Sequence, residues 1–148
     1  MSGLQGKYTV SLDPKGRLAI PSRHRNVFPG DQHDKIIITR GVDACVTGYY
    51  QEKWEEFEQR IESMDRSYIE KVTMRREFIG RSVEAIFDKQ GRVTIPADLV
   101  EFAKLKDCAE VFVMGCGGYI EIWNPEIYNS RHDQNEDIVQ RVMGEINM

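Results

Sequence analysis

Residues 13–21 read Asp-Pro-Lys-Gly-Arg-Leu-Ala-Ile-Pro, and residues 88–96 read Asp-Lys-Gln-Gly-Arg-Val-Thr-Ile-Pro. The Asp, Gly, Arg, Ile and Pro of the first stretch recur in the same order in the second, at an offset of 75 residues (88 minus 13). The apolar residues Leu18 and Val93 are separated by the same offset. The chain therefore repeats a strand–turn–strand unit with an arginine directly after its turn, which favours a binding module over an active site.

The residues around the first turn predict two strands joined as a hairpin. Tyr8, Val10 and Leu12 alternate with polar residues, which is the period of a half-buried strand. In residues 13–16, Asp at the first position, Pro at the second and Gly at the fourth fit a type I turn. Alternation resumes after the turn at Leu18, so we expect a β-hairpin here and a second one around residues 88–91.

Each hairpin is followed by the same predicted series, a short helix and then two strands joined by a turn. Pro21 and Pro96 are placed to open the helices, because proline is favoured in the first helical position. We expect these helices to extend to about residues 27 and 105. The strands predicted after them cover residues 36–38, 45–49, 110–114 and 119–123.

Helical signals mark the connecting stretch and the C-terminal end. Ser67 and Glu70 have the spacing of a capping box, and Asn124 before Pro125 is typical of an N-cap and first helical residue. An apolar seam with helical spacing predicts a helix between the units, and a thinner apolar stripe lies near the C-terminus. The seam is Trp54, Phe57, Ile61 and Met64, and the stripe is Ile138, Val142 and Ile146.

The division of the chain follows from these elements. We expect a first unit at residues 5–54, connecting helices at 55–80, a second unit at 81–128, and a C-terminal helix or tail at 129–148. Each β unit has about 45 residues, which is small for an independent fold, so we expect the two units to share one core. The residues predicted to face each other in that core are Leu12, Leu18, Ile20, Phe87, Val93 and Ile95.

The composition is that of a globular chain with segregated charge. The 148 residues are 41% hydrophobic and 30% charged, with a formal net charge of −4. Residues 7–25 nevertheless hold five basic residues and one acidic residue, a net charge of +4, whereas the matching residues 82–100 carry −1. A local basic face is compatible with an acidic total, so the composition does not exclude nucleic acid as a partner.

A basic hairpin with an arginine after its turn suits DNA recognition. Arginine offers two parallel donors to guanine O6 and N7, and a two-stranded ribbon fits the major groove. Arg17 is the leading candidate for base contact and Lys15 for phosphate contact, with Asp13 orienting the guanidinium. The less basic second window predicts a smaller contribution from Arg92. The full set of candidate DNA-binding residues is Arg17, Lys15, Asp13, Lys7, Arg23, Arg25, Arg92 and Asp88.

Other interpretations of these residues remain open. Each Asp–Arg pair could be only a solvated ion pair at a well-formed turn, worth about 0–1 kcal/mol. Arg75 and Arg76 follow Lys71 on a predicted helix, where a solvated face accounts for them. Residues 115–118 are rich in glycine but lack the lysine of a phosphate-binding loop and lie between two strands, so they predict a hairpin turn.

No residue pattern indicates a metal, a cofactor or an enzyme. His24, His33 and His132 are scattered, and none has a metal-ligand spacing with a cysteine. No arrangement of Ser, Cys or His stands out as a nucleophile with its base. Three cysteines do not form a paired framework, and there is neither a signal-peptide pattern nor an apolar stretch long enough for a membrane span. We therefore expect no cofactor, no membrane partner and a cytoplasmic protein.

The duplicated motif resembles that of the MraZ family, which belongs to the AbrB-like swapped-hairpin group. The resemblance covers about residues 5–128 and includes residues 39–41, the helix start at Trp54 and residues 76–78. It implies an α+β fold in which two tandem swapped-hairpin units form a shared barrel with helices outside. The chain departs from the family pattern at Gly48, where an apolar strand residue is usual, and at Arg81, where a small residue is usual.

The resemblance also implies a function. It predicts a bacterial, nucleoid-associated regulator of the division and cell-wall gene cluster that binds G-rich direct repeats in its own promoter. It further predicts a ring-shaped homo-oligomer and carries the DNA contacts to residues 13–17 and 88–92. The alternative is an antitoxin-like or protein-interaction module with the same β fold, and an enzyme ranks after both.

Overall fold

The computed structural model describes residues 3–146, apart from the side chain of Gln32. In these residues it contains eight strands and six α-helices, with a 3-10 turn at Gly30–Gln32 and a π-helical turn at Arg75–Ile79. The strands are β1 (Leu4–Ser11), β2 (Arg17–Ala19), β3 (Lys35–Arg40), β4 (Val46–Tyr49), β5 (Val83–Ile86), β6 (Arg92–Thr94), β7 (Glu110–Gly117) and β8 (Ile120–Trp123). The helices are α1 (Ser22–Arg25), α2 (Gln51–Ser63), α3 (Tyr68–Met74), α4 (Ala97–Phe102), α5 (Pro125–Ser130) and α6 (His132–Ile146).

Strand pairing crosses between the two repeated units. The larger sheet is antiparallel with the order β1-β7-β8-β4-β3-β5, and β2 pairs with β6 in a separate two-stranded sheet. The first strand of each unit thus pairs with the third strand of the other, β1 with β7 and β5 with β3. The predicted α+β fold of two tandem swapped-hairpin units is confirmed.

The first hairpin forms the predicted turn, but its two strands pair over a shorter length than alternation predicted. The turn closes as expected, because Gly16 N–H donates to Asp13 O at 3.0 Å and Asp13 N–H donates to Arg17 O at 3.0 Å. Beyond it, β1 and β2 share a single bridge between Leu12 and Leu18 and then separate. The predicted hairpin is therefore confirmed only near its turn, because β2 pairs with β6 of the other unit.

One hydrophobic core serves both units. Its buried members come from both sheets and from both halves of the chain. The shared core predicted from the repeat is confirmed. Of the six residues predicted to form it, Leu12, Leu18, Ile20, Val93 and Ile95 are buried, and Phe87 is partly buried against them.

Helix α2 buries its apolar seam against its own chain. Trp54 packs with Ile37 and Tyr49 of the sheet, and Phe57 packs against the same cluster. Ile61 is 2% exposed. The seam therefore packs against the sheet of its own chain.

Two predicted helix starts are confirmed, whereas α1 and α4 both end before their predicted ends near residues 27 and 105. Ser67 and Glu70 form the capping box, and the Asn124 side chain accepts hydrogen bonds from the first turn of α5. Helix α4 ends earlier than predicted, because Lys104 adopts a positive φ of 54° and Leu105 N–H turns back to Val100 O. A left-handed residue of this kind is a common way to end a helix.

Both departures from the family pattern are accommodated by neighbouring side chains. A Cβ added to Gly48 would lie 2.6 Å from Cδ1 of Ile36, so the Ile36 side chain fills the space that a larger residue would need. Arg81 forms ion pairs of 3.7 Å with Glu77 and with Asp98, and its guanidinium lies 5.0 Å from the centre of the Phe102 ring.

The C-terminal stripe lies on a regular helix. Ile138, Val142 and Ile146 of α6 are 50%, 37% and 56% exposed, so this face has no partner among the described residues. Residues 147–148 of the predicted C-terminal segment lie outside the described part of the chain. Within residues 3–146, no helix combines the length and apolar character needed to cross a membrane.

Candidate nucleic-acid interface

The first Asp-x-x-x-Arg loop is organised by its aspartate. One carboxylate oxygen of Asp13 accepts the backbone N–H groups of Lys15 and Arg17, both at 2.9 Å. The other oxygen accepts Nε–H of Arg17 at 2.6 Å. The four-residue spacing places one carboxylate within reach of a turn amide and the arginine side chain, so the sequence motif is a complete hydrogen-bonding unit.

The second loop repeats this geometry. Asp88 accepts the backbone N–H groups of Gln90 at 2.8 Å and Arg92 at 2.9 Å, and the Nε–H of Arg92 at 2.9 Å. In residues 3–146, the terminal guanidinium nitrogens of Arg17 and Arg92 have no protein acceptor. Each loop therefore holds an arginine in one orientation while leaving its two terminal nitrogens for a ligand.

Both loop aspartates are ionised at neutral pH. The backbone N–H of Arg17, with smaller contributions from its guanidinium and from the Lys15 N–H, lowers the pKa of Asp13 below its usual value. The corresponding groups of Arg92 and Gln90 lower the pKa of Asp88. Hydrogen bonds to a carboxylate favour its charged form, so both ion pairs persist across the physiological range.

Each loop docks against the unit to which it does not belong. Ile95 N–H donates to Gly16 O at 2.8 Å, which places the first loop beside the start of α4. Ile20 N–H donates to Gly91 O at 3.2 Å, which places the second loop beside the start of α1. Gly16 and Gly91 have φ values of +82° and +76°, which glycine adopts without strain.

The side chains beside the two glycines differ in charge. A Cβ added to Gly16 would lie 3.7 Å from a methyl of Val100, whereas one added to Gly91 would lie 2.9 Å from Cζ of Arg25. Val100 and Arg25 are themselves separated by the repeat offset. The same structural position therefore carries a valine beside the first loop and a guanidinium beside the second.

The position of Arg25 reverses the difference in net charge between the two loops that the sequence predicts. The sequence order associates Arg25 with the first loop, which it follows in the chain, but in the structure Arg25 lies at the second. Residues 13–17 together with α4 hold two basic and three acidic residues, a net charge of −1, whereas residues 88–92 together with α1 hold four basic and one acidic residue, +3. The second loop, not the first, is the more basic of the two.

The remaining candidates are placed as follows. Arg23 is exposed on α1, the same helix as Arg25. Lys7 pairs with Met114 in β1–β7, and its ammonium lies 4.4 Å from the centre of the Phe112 ring and 5.5 Å from that of Tyr128. The structure thus does not bring Lys7 to either turn.

The first loop also borders basic residues that sequence reasoning missed. An open groove beside Lys15 is lined by Lys104 and Lys106, together with the acidic residues Glu101 and Asp107. No local motif marks these lysines. The docking of the first loop beside α4 brings them to the groove, and the sequence carried no signal for that contact.

The described residues provide no activated nucleophile among the cysteines. Burial raises the pKa of the Cys45 thiol well above its usual value, and burial together with Glu121 raises the pKa of Cys116 to about 12. Burial raises the pKa of Cys108 as well. Since the thiolate is the reactive form, all three thiols are held in their unreactive state.

Residues 3–146 also contain no cluster of three or more His, Cys, Asp or Glu that could hold a metal ion.

Comparison with known protein families identifies both units. A family model described as "MraZ protein, putative antitoxin-like" matches residues 4–77 and again residues 78–141. The two matches cover most of the chain, and each contains one Asp-x-x-x-Arg loop.

Proposed function

The chain belongs to the MraZ family, and from this membership we propose that it is a sequence-specific DNA-binding regulator of transcription. At the level of the family, membership supports a regulatory DNA-binding role, and the family is of the regulator type rather than enzymatic. The observation that carries the proposal is the pair of matching loops, each presenting an arginine whose Nε is held by aspartate and whose terminal nitrogens have no acceptor among residues 3–146.

The geometry of the loops suits guanine. A guanidinium held by its Nε keeps its plane fixed, so less conformational entropy is lost when its two remaining nitrogens meet O6 and N7. Arg17 and Arg92 are the proposed base contacts, and Asp13 and Asp88 orient them. Lys15 and Lys89 are exposed beside them and are suited to phosphate contacts that set the register.

We place the target in the promoter of the chain's own gene, within the bacterial division and cell-wall gene cluster. The family resemblance supports G-rich direct repeats as the sequence recognised, a ring-shaped homo-oligomer as the binding form, and association with the nucleoid. Several copies of a small loop on spaced repeats would raise the affinity through effective concentration, without any new contact.

Duplex DNA from upstream of the chain's gene tests the proposal directly. Binding is measured by fluorescence anisotropy across a salt series, beside a shuffled duplex of identical base composition. We expect the upstream duplex to bind more tightly than the shuffled one, and its affinity to fall steeply as salt increases. Equal affinity for the two duplexes would contradict sequence-specific recognition, and the absence of binding at low salt would contradict DNA as the partner.

A protein partner is the second candidate function. The description of the matching family includes the term antitoxin-like, and the exposed apolar face of α6 offers a surface for a protein contact. In that case the loops would not need DNA, and the salt series would show neither a steep slope nor a preference for the upstream duplex.

A further inference from the structure

We propose that the second loop, completed by Arg25 of the first unit, makes the principal phosphate contacts of the DNA interface. This inference rests on the proposed function, because it names the residues that would contact the phosphate backbone at that interface. It makes the second loop a composite site, with Asp88, Lys89 and Arg92 from one unit and Arg25 from the other.

Arg25 is built into the second loop. Its Cζ, Nη2 and Nε atoms would lie 2.9, 3.1 and 3.2 Å from a Cβ placed on Gly91, so the guanidinium covers the glycine directly. A side chain at position 91 would collide with it, in addition to the strain at a φ of +76°. The loop and the arginine therefore fit together only because position 91 is glycine.

A single residue connects Arg25 to the loop backbone. The N–H of Ile20 donates to Gly91 O at 3.2 Å, and the C=O of Ile20 accepts Nε–H of Arg25 at 3.0 Å. The guanidinium is thus fixed relative to the loop through its Nε. This is the same mode of attachment as that of Arg92 to Asp88, and it leaves the terminal nitrogens of Arg25 without a protein acceptor in the described residues.

The charge of Arg25 is also uncompensated within the described residues. Arg17 and Arg92 form ion pairs with their loop aspartates, but no carboxylate in residues 3–146 forms one with Arg25. A guanidinium with a fixed Nε, free terminal nitrogens and no counter-charge is suited to a phosphate oxygen.

The first loop has no basic residue at the position equivalent to Arg25. Val100 occupies the position of Arg25, and Asp98 occupies that of Arg23. Glu101 also lines the groove beside Lys15 and Gly16. Phosphates approaching the first loop would meet Glu101 and Asp107 beside Lys104 and Lys106, whereas phosphates approaching the second would meet Arg23 and Arg25.

Substitution of Arg25 in the full-length chain tests the inference with the same upstream duplex. Arg25→Gln removes the charge and keeps a donor near Ile20 O, and Arg25→Lys keeps the charge. Neutralising one phosphate contributes about 0.9 to the slope of log affinity against log salt. We expect Arg25→Gln to lower the slope by about one and to weaken binding to the upstream and shuffled duplexes alike, while Arg25→Lys retains most of the slope.

Two further variants serve as matched comparisons. Arg66→Gln removes the same charge from the connection between α2 and α3, and it should leave the slope unchanged. Val100→Arg places a guanidinium at the equivalent position beside the first loop, and it should raise the slope. A slope that Arg25→Gln leaves at the wild-type value, with the thermal unfolding midpoint also unchanged, would overturn the inference.

The two arginines of the motifs give an independent readout. We expect Arg92→Ala to lose more affinity than Arg17→Ala, which reverses the order that charge counted along the sequence predicts. The opposite order would overturn the inference even if Arg25→Gln failed to fold. If wild-type protein bound neither duplex, the proposed function itself would fail, whereas wild-type binding without any effect of Arg25 would remove only this inference.

Discussion

Leu18 and Val93 lie directly opposite each other in the two-stranded sheet, and they occupy the same position in the two repeats. The pairs on either side of Leu18–Val93 are equivalent in the repeat, because Arg17 faces Thr94 and Arg92 faces Ala19. The Leu18–Val93 pair therefore lies on the approximate two-fold axis that relates the units. Both side chains are buried, at 1% and 2% exposure, so the axis runs through the shared core.

Truncation at this axis should destabilise both units together. Leu18→Ala removes a fully buried side chain from the core that both units share. Substitutions of this kind cost about 2–5 kcal/mol. We expect urea unfolding to show one cooperative transition at a lower midpoint. The exposed neighbour provides the control, since Thr94→Ala should change the free energy of unfolding by less than about 0.5 kcal/mol. Two separate transitions would show that the halves have independent cores.

Local order could be predicted from the sequence because its signals are local. The turn at residues 13–16 follows from Asp, Pro and Gly at fixed positions, and the capping box from Ser67 and Glu70. The motif spacing likewise marked Asp13 and Arg17 as partners, and they are bonded at 2.6 Å. Each of these interactions lies within four residues along the chain.

Pairing between distant segments could not be predicted in the same way. Alternation at β1 shows which side chains are buried, but it does not say that the partner strand is β7. For that reason sequence order associates Arg25 with the first loop, although it lies at Gly91. The apolar seam of α2 had the same ambiguity, because its periodicity required a buried face without identifying Tyr49 as the contact.

Substitutions of Arg17 and Lys15 should distinguish base contact from phosphate contact in the first loop. Arg17→Ala is expected to cost about 1–3 kcal/mol of binding free energy and to relax the preference for the upstream duplex over the shuffled one. Lys15→Ala should weaken binding to both duplexes evenly, because a phosphate carries no sequence information. Anisotropy titrations with the two duplexes measure both effects. If Arg17→Ala kept the full preference while its circular dichroism matched wild type, direct readout by Arg17 would be excluded.

The Asp–Arg ion pairs of the two loops should be lost only well below neutral pH. The folded pKa values of Asp13 and Asp88 are lowered, so their stabilising contribution is complete above the unfolded pKa, near 3.9, and is lost as the pH falls through the folded values. We expect wild type to be more stable than Asp88→Asn by a constant margin between about pH 5 and 7, with the margin shrinking below about pH 4. Thermal unfolding of both proteins across this range measures it. A margin that narrowed between pH 7 and 5 would contradict the assigned direction.

Self-association should depend on the exposed apolar face of α6. Ile138 and Val142 are one helical turn apart on this face, and both remain accessible in the single chain. The α2 seam is already buried, so among the outer helices α6 presents the apolar surface best suited to a contact between copies. We expect light scattering to give an oligomer at micromolar concentration, and Ile138→Glu with Val142→Glu to shift the mass towards the monomer. Gln140→Glu adds charge to the same helix between these two positions and is the control, expected to leave the mass unchanged.

Affinity for DNA should rise steeply with the number of promoter repeats in wild type and far less in the double variant, because only an oligomer can occupy several repeats at once. A monomeric wild-type mass, or equal affinity for one repeat and for several, would rule out assembly as the source of tight binding.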